Sequence, residues 1–178
     1  MSALVVYESM FGNTKRVADA VADGIAEHLP VETVEVSEAP TEIPVGVELL
    51  VVGGPTHVHG MTTVRTRASA ALRATSPLFS RGSGIREWLE HAHPKVRSMP
   101  AAAFDTRING PAILTGSAAG GFARRLRAAG FRLIGPSRSF LIRAKAPQED
   151  ALLEGELARA RAWGAELATP IEAKVRAG

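Results

Sequence analysis

The segment that most constrains the fold lies near the start of the chain, where an apolar run leads through a short polar loop into a helical pattern. Leu4, Val5 and Val6 are uninterrupted apolar residues, as in a strand that is covered on both faces. After Thr14 the apolar and small residues recur at helical spacing. They are Val17, Ala20, Val21, Gly24, Ile25 and Leu29. The sequence therefore predicts a buried strand that passes through a tight loop directly into a helix.

The loop between these two elements has the composition of an anion site. Ser9, Gly12, Asn13 and Thr14 supply two hydroxyls, an amide and a residue without a Cβ. A loop that closes onto a helix N-terminus points several unpaired N–H groups in one direction, and the helix dipole adds partial positive charge there. Gly12 would let the backbone approach a ligand closely. We predict a phosphate site here; the alternative is an ordinary strand-to-helix turn capped by Asn13 or Thr14.

The loop is not one of the two common nucleotide-binding motifs. It lacks the glycines of the dinucleotide fingerprint, and Lys15 follows a threonine, so that no Gly-Lys-Ser/Thr of a Walker loop occurs. Instead Ser9-x-x-Gly12-Asn13-Thr14, preceded by Val5-Val6-Tyr7, resembles the phosphate loop of the flavodoxins. The resemblance extends over residues 3–167. It implies an α/β three-layer sandwich with a five-stranded parallel sheet in the order 2-1-3-4-5, the order for which flavodoxin is the standard example.

The apolar patterns along the rest of the chain agree with such a sandwich. Strands are predicted at residues 3–7, 31–36, 48–54 and 100–104, followed by a broken final strand at 131–134 and 139–142. Helices are predicted at 14–28, 63–74, 83–91 and 117–129, and a last helix from about 147. Alternation of this kind predicts a parallel sheet between helical layers. We expect one domain over residues 1–168 and a frayed C-terminal tail over 169–178.

The resemblance implies FMN as the cofactor and assigns three groups of residues to it. The phosphate would be bound by two hydroxyls, an amide and backbone N–H groups, from Ser9, Met10, Phe11, Gly12, Asn13 and Thr14. The isoalloxazine would lie between two further loops that follow predicted strands. The first of these loops contributes Pro55, Thr56, His57, Val58, His59 and Gly60. The second contributes Asp105, Thr106 and Arg107.

Two features of the predicted ring site differ from the family. Flavodoxins usually stack a Trp or Tyr on the flavin, but the only Tyr of this chain is in the first strand and both Trp fall in predicted helices. His57, His59 and Met61 remain as candidates to cover the ring. The acidic collar typical of flavodoxins is replaced by Arg65, Arg67 and Arg107. Positive charge favours the anionic, fully reduced flavin, so we predict a less negative reduction potential than in a conventional flavodoxin.

Composition and spacing exclude or disfavour several other functions. With no cysteine the chain can form no disulfide and no thiolate metal site, which fits a cytoplasmic protein. His57-x-His59 could bind a metal as a pair, but no third ligand follows at a recognisable spacing, so we predict no metal site. No Ser-His-Asp arrangement or paired carboxylates indicate a catalytic residue. The net charge is only +3, without lysine runs or interleaved aromatic residues, which disfavours nucleic-acid binding.

These observations predict an FMN-binding electron-transfer protein that shuttles electrons to a redox protein, either a reductase or an acceptor. The first alternative is an enzyme, an FMN-dependent reductase or dehydrogenase of a small molecule of the quinone or porphyrinogen type. The second is a binding module that keeps the fold without the flavin. The basic run Arg124, Arg125 and Arg127 is either a solvated helix face or a docking face for an acidic protein.

Overall fold

The computed structural model describes residues 1–57, 60–73, 80, 82–144 and 151–176, and it shows a parallel sheet between two helical layers. The strands are β1 Ser2–Tyr7, β2 Val31–Glu35, β3 Glu42–Ile43, β4 Val47–His57, β5 Gly60–Met61, β6 His93–Pro94, β7 Pro100–Ile108, β8 Arg132–Leu133 and β9 Arg138–Ile142. The helices are α1 Asn13–Ile25, α2 Val64–Arg73, α3 Ile85–Trp88, α4 Ala112–Thr115, α5 Ala119–Ala128 and α6 Glu156–Arg176. Within these described ranges, no helix has the length and apolar character needed to cross a membrane.

The central sheet confirms the predicted strand order. β1 lies between β2 and β4, β7 lies beyond β4, and all of these pairs are parallel. The last position is shared, because β8 pairs with the start of β7 and β9 pairs with its end. The predicted final strand with a break is therefore confirmed, and Gly135, with a φ of 77°, lies in the interruption. β5 adds a short antiparallel pair to β4, and β3 and β6 form a separate two-stranded sheet.

The core is divided by the sheet into two halves, one on each face. The alternating side chains of β1 show the division: Val5 packs toward α1 and α6, whereas Leu4 and Val6 pack toward α3 and α5. On the first face, Phe104, Phe140 and Trp163 meet with ring centroids 5.8–6.2 Å apart. Both faces of the inner strands are thus covered, as the uninterrupted apolar runs of these strands predict.

Helices α1 and α6 approach so closely that glycine is required at two positions of their contact. A Cβ placed on Gly24 would overlap the carbonyl oxygen of Arg161, and a Cβ on Gly164 would overlap that of Val21. Both obstacles are backbone atoms, which cannot rotate away as a flexible side chain can. These two glycines therefore set the distance between α1 and α6, and α1 begins at the predicted phosphate loop.

Two strands are longer than the sequence predicts, and this changes the setting of several predicted site residues. β4 includes Pro55, Thr56 and His57, and β7 includes Asp105, Thr106 and Arg107, all of which were expected in loops. The extension arises because the two strands keep pairing, with Pro55 opposite Thr106, and because β4 also pairs with β5. These predicted loop residues are instead held in the rigid sheet.

The last helix is also displaced from its predicted position. It begins at Glu156 and not near 147; residues 145–150 lie outside the described part of the chain. Gly155, with a φ of 80°, immediately precedes it. The expected fraying after Pro170 is wrong, because α6 continues to Arg176 and Ile171 is buried in the core. The division into a domain at 1–168 and a tail at 169–178 stays a prediction.

The glycine contact between α1 and α6 can be tested by adding one methyl group. Gly24→Ala is expected to lower the free energy of unfolding by roughly 1–3 kcal/mol, the usual cost of overpacking, even though alanine favours helix more than glycine does. Gly120→Ala in α5 is the matched control, because its Cβ would meet no atom within 4 Å. Urea unfolding followed by circular dichroism compares the two. Equal stability of both variants would contradict the proposed close contact.

Candidate functional site

The predicted phosphate loop closes onto the first turn of α1 through glycine geometry and a serine hydroxyl. Gly12 precedes the helix with φ 86° and ψ −21°, in the left-handed region that favours glycine. The Ser9 Oγ accepts hydrogen bonds from the N–H groups of Gly12 at 3.1 Å and of Lys15 at 3.3 Å. The loop therefore folds back on itself at the helix N-terminus, where backbone N–H groups and the helix dipole favour an anion.

Side chains of the loop connect it to distant parts of the chain. The Oγ1 atoms of Thr14 and Thr106 are 2.8 Å apart, and both residues are buried. The Oδ1 of Asn13 accepts a hydrogen bond from the backbone N–H of Ala151 at 3.2 Å. The loop after β1 is thus joined to the end of β7 and to the segment that precedes α6.

These elements border a cleft of about 470 Å³ at the carboxyl edge of the sheet. Of the predicted site residues, nine line it: Ser9, Met10, Phe11, Asn13, Thr14, Pro55, Thr56, His57 and Thr106. Five lining residues were missed in the sequence: Ile108, Ile142, Arg143, Ala144 and Ala151. The signal for Ile142 and Arg143 was the end of the last strand, since the carboxyl ends of parallel strands meet at one edge. Nothing in the local sequence marks Ala151.

Other predicted site residues take different positions. Asp105 is fully buried, and its Oδ2 accepts hydrogen bonds from Thr56 Oγ1 at 2.9 Å, Ser117 Oγ at 2.7 Å and the Ala119 N–H at 3.0 Å. It therefore links β4 to the start of α5 from outside the cleft wall. Gly12 shapes the loop through its backbone, and Gly60 pairs with His57 in the short antiparallel ladder. Val58 and His59 lie outside the described residues.

Two of the three arginines expected at the mouth, Arg67 and Arg107, are engaged in structural contacts, and Arg65 is exposed in α2 and does not line the cleft. The Nη1 of Arg107 donates to the carbonyl of Gly110 at 2.7 Å and to Thr115 Oγ1 at 2.9 Å. The Nη1 of Arg67 forms an ion pair with Glu87 at 3.1 Å. The cation of the cleft wall is Arg143, an exposed residue directly after β9. No Asp or Glu is found among the described lining residues, so the cleft is on balance positive.

A buried carboxylate that the sequence analysis did not single out fixes the loop from the opposite face of the sheet. Glu8 is fully buried beside Ser9; Thr62 Oγ1 donates to its Oε1 at 2.6 Å and the Ile85 N–H donates to its Oε2 at 2.9 Å. Burial raises the pKa of Glu8, although the hydrogen bonds from Thr62 and Ile85 act in the other direction. Ser80 adds a second anchor: its Oγ accepts from the Ser9 N–H at 2.9 Å. The only sequence signal for this role of Glu8 was the presence of an acidic residue directly before the predicted phosphate loop.

His57 is the imidazole of the cleft wall, and burial determines its charge. Burial lowers the pKa of His57 below its ordinary value of 6.5, so the ring is neutral at pH 7. His57, a candidate to cover the ring, would therefore face it as a neutral imidazole at neutral pH. Met61, another candidate to cover the ring, is buried and points its sulfur toward Arg125 and away from the cleft wall. In the described chain, no group of three or more His, Asp or Glu could hold a metal ion.

Comparisons with known proteins agree with this geometry. The flavodoxin family model matches residues 5–159. A flavodoxin from the domain Archaea is 19% identical, with 97% of this chain and 99% of that chain covered and a TM-score of 0.63. Oxidised flavodoxin 1 from Bacillus cereus is 16% identical, with 95% of this chain and 98% of that chain covered and a TM-score of 0.67. A flavodiiron core from Synechocystis is 16% identical with a TM-score of 0.63, and this chain spans 36% of it. No curated protein matches the chain.

The burial of neutral His57 predicts a pH dependence of stability. Because its pKa is lowered in the folded state, the unfolded state binds the proton more readily, and stability is lost as the pH falls below about 6.5. His57→Gln is expected to reduce the fall in the urea midpoint between pH 7.5 and pH 5.5. His91→Gln, at an exposed position, is the matched control and should behave as the wild type. An identical fall in all three proteins would show that His57 is not buried in the neutral form.

Proposed function

This chain belongs to the flavodoxin family, and from that premise we propose that it holds FMN in the cleft at the carboxyl edge and passes single electrons to and from a redox protein. The observation that carries the proposal is the convergence of three segments on one cleft. These are the loop after β1 and the ends of β4 and β7, which are far apart in the sequence. Such a crevice, where the strand order reverses, is where open α/β sheets bind nucleotides.

The phosphate end of the cleft fits a dianion. The loop offers backbone N–H groups at the start of α1, and Gly12 leaves space for close approach because it has no Cβ. The hydroxyls of Ser9 and Thr14 would donate to phosphate oxygens, and Asn13 would contribute its side chain or its N–H group. Lys15 is a weaker candidate, because its Nζ forms an ion pair with Asp19 at 2.7 Å.

The other end of the cleft fits a flat, largely apolar ring. Ile108 and Ile142 lie opposite each other in the register of β7 and β9, and His57 ends β4. Aliphatic side chains with a neutral imidazole would take the place of the aromatic residues that flavodoxins usually stack on the flavin. The volume of about 470 Å³ is within the range of small-ligand pockets.

When bound, FMN supplies the electron-transfer chemistry, and the chain supplies binding, orientation and electrostatics. Because Pro55 to His57 and Thr106 lie in strands, they would hold contacts to the ring on rigid backbone. Asp105 orients Thr56, whose Oγ1 also accepts from the Ala118 N–H at 2.9 Å. A cytoplasmic location remains the prediction from the cysteine-free sequence.

Thr14 provides a direct test of the phosphate site. Loss of a hydrogen bond to a charged group costs about 1.5–3 kcal/mol, so Thr14→Ala is expected to weaken FMN binding by more than tenfold. Thr14→Ser keeps the hydroxyl and should restore most of the affinity, and Thr169→Ala in α6 should change nothing. Fluorescence titration of the apoprotein with FMN gives the dissociation constants. An unchanged constant for Thr14→Ala would place the phosphate elsewhere, and a purified protein that takes up no flavin would refute the proposal.

The charge of the cleft predicts the direction of the redox potential. With Arg143 in the cleft wall and no Asp or Glu among the described residues that line the cleft, the couple to fully reduced flavin should be less negative than in a conventional flavodoxin. Arg143→Gln should make the potential more negative by tens of millivolts, an effect limited by solvent screening because the side chain is exposed. Arg97→Gln, at an exposed position before β7, is the control. A spectroelectrochemical titration that finds equal shifts in both variants would contradict a local effect.

A further inference from the structure

The charge of this chain is strongly segregated along the sequence. Residues 106–148 contain eight Lys and Arg and no Asp or Glu, whereas the rest of the chain contains thirteen basic and eighteen acidic residues. The segment begins at the end of β7 and includes α4, α5, β8 and β9. These elements form one flank of the molecule, because β8 and β9 lie at the edge of the sheet and α5 packs against β7. One flank is therefore basic, although the net charge is small.

The same flank exposes aliphatic side chains on a short braced turn. Ile113 and Leu114 of α4 are 91% and 68% exposed, and Ile108 is 45% exposed. We call these three residues the aliphatic patch. The turn that carries it is held from below by Arg107, whose guanidinium binds the Gly110 carbonyl and the Thr115 hydroxyl. Large apolar side chains on a fixed turn at this exposure are a feature of protein interaction sites.

The aliphatic patch is continuous with the wall of the cleft. Ile108 belongs to both, and its register partner Ile142 is followed by Arg143, which also lines the cleft. The Arg107 guanidinium lies against the turn itself and is bonded there to neutral groups, so its charge is retained. Arg124 and Arg127 are exposed farther along α5, whereas Arg138 is paired with Glu166 at 3.9 Å. An apolar centre that has cations around it and borders the cofactor cleft has the organisation of a docking site, with the cations guiding approach and the apolar residues making the contact.

We propose that the aliphatic patch and its surrounding arginines dock an acidic redox protein over the mouth of the cleft. The inference rests on the proposed function and adds the charge of the partner and the surface that it contacts. Charge complementarity identifies the partner, since a protein with an acidic rim around an apolar centre matches the segment 106–148, which carries the aliphatic patch and contains no Asp or Glu. A nucleic acid is a poorer match, because Phe122, Phe131 and Phe140 of this flank are buried and offer no stacking platform.

The test uses two electron-transfer proteins of opposite charge with the FMN-loaded protein. Stopped-flow spectroscopy follows electron transfer from a reduced, acidic plant-type ferredoxin to the oxidised protein, and from the dithionite-reduced protein to basic cytochrome c. The second-order rate constant with ferredoxin is expected to fall at least tenfold as the ionic strength rises from 20 to 300 mM, because docking by opposite charges is screened by salt. The rate with cytochrome c should rise or stay constant.

A pair of matched variants then locates the docking surface. Ile113→Glu/Leu114→Glu should slow the reaction with ferredoxin at least tenfold. Val45→Glu/Val96→Glu makes the same change at residues that are 73% and 57% exposed, in the segments before β4 and β7 at the amino ends of these strands, and it should slow the reaction less than twofold. Equal slowing by both pairs would overturn the inference, as would a ferredoxin rate that rises with salt.

The outcomes also separate this inference from the function on which it rests. A wild-type protein that binds FMN and is reduced by dithionite, but whose rate with ferredoxin does not fall as the ionic strength rises, would refute the acidic partner alone. A wild-type protein that binds no FMN would refute both. Because all four substituted side chains are exposed, unchanged urea midpoints are expected and verify that the variants fold.

Discussion

The cleft depends on the contact between the hydroxyls of Thr14 and Thr106, which joins the first turn of α1 to the end of β7. The other anchors of the loop after β1, from Ser80 and from the Ala151 N–H, tie it to segments outside the central sheet, and this contact is the one that ties it to β7. The contact holds the predicted phosphate end of the cleft at a fixed distance from the predicted ring end. The contact is possible only because β4 separates β1 from β7 and all three strands run parallel, so that their carboxyl ends lie at the same edge.

Two buried carboxylates fix the elements around the cleft, one directly after β1 and one in β7. Glu8 follows β1 and binds Thr62 and the start of α3, while Asp105 in β7 binds Thr56 and the start of α5. Each accepts hydrogen bonds from backbone N–H groups at the beginning of a helix, where partial positive charge compensates the loss of water. Both acids are turned away from the cleft and bonded to neighbouring elements. The described wall of the cleft therefore contains no acid, although two carboxylates lie close to it.

The sequence was sufficient for the fold because its signals are strong and local. The uninterrupted run at Val5 and Val6, the helical spacing after Thr14 and the break at Gly135-Pro136 each arise from backbone geometry within a few residues. The phosphate loop was predicted for the same reason. The ends of β4 and β7 were misplaced because their pairing depends on a neighbour about fifty residues away, and no local pattern distinguishes a paired Pro55 or Thr106 from a loop residue.

The site residues that were missed or assigned a different role share a further cause. Arg143 and Ile142 enter the cleft through the register of the last strand, and Arg107 is diverted from it by carbonyls that only the folded α4 turn presents. The charge of the cleft wall thus comes from Arg143, because Arg107 is bonded to the α4 turn instead. The same segment supplies both, and its lack of acids gives a single electrostatic basis for the proposed potential and the proposed partner. A positive wall that stabilised reduced flavin would also attract an acidic protein to the cleft, so a substitution of Arg143 is expected to change both the driving force and the rate of encounter.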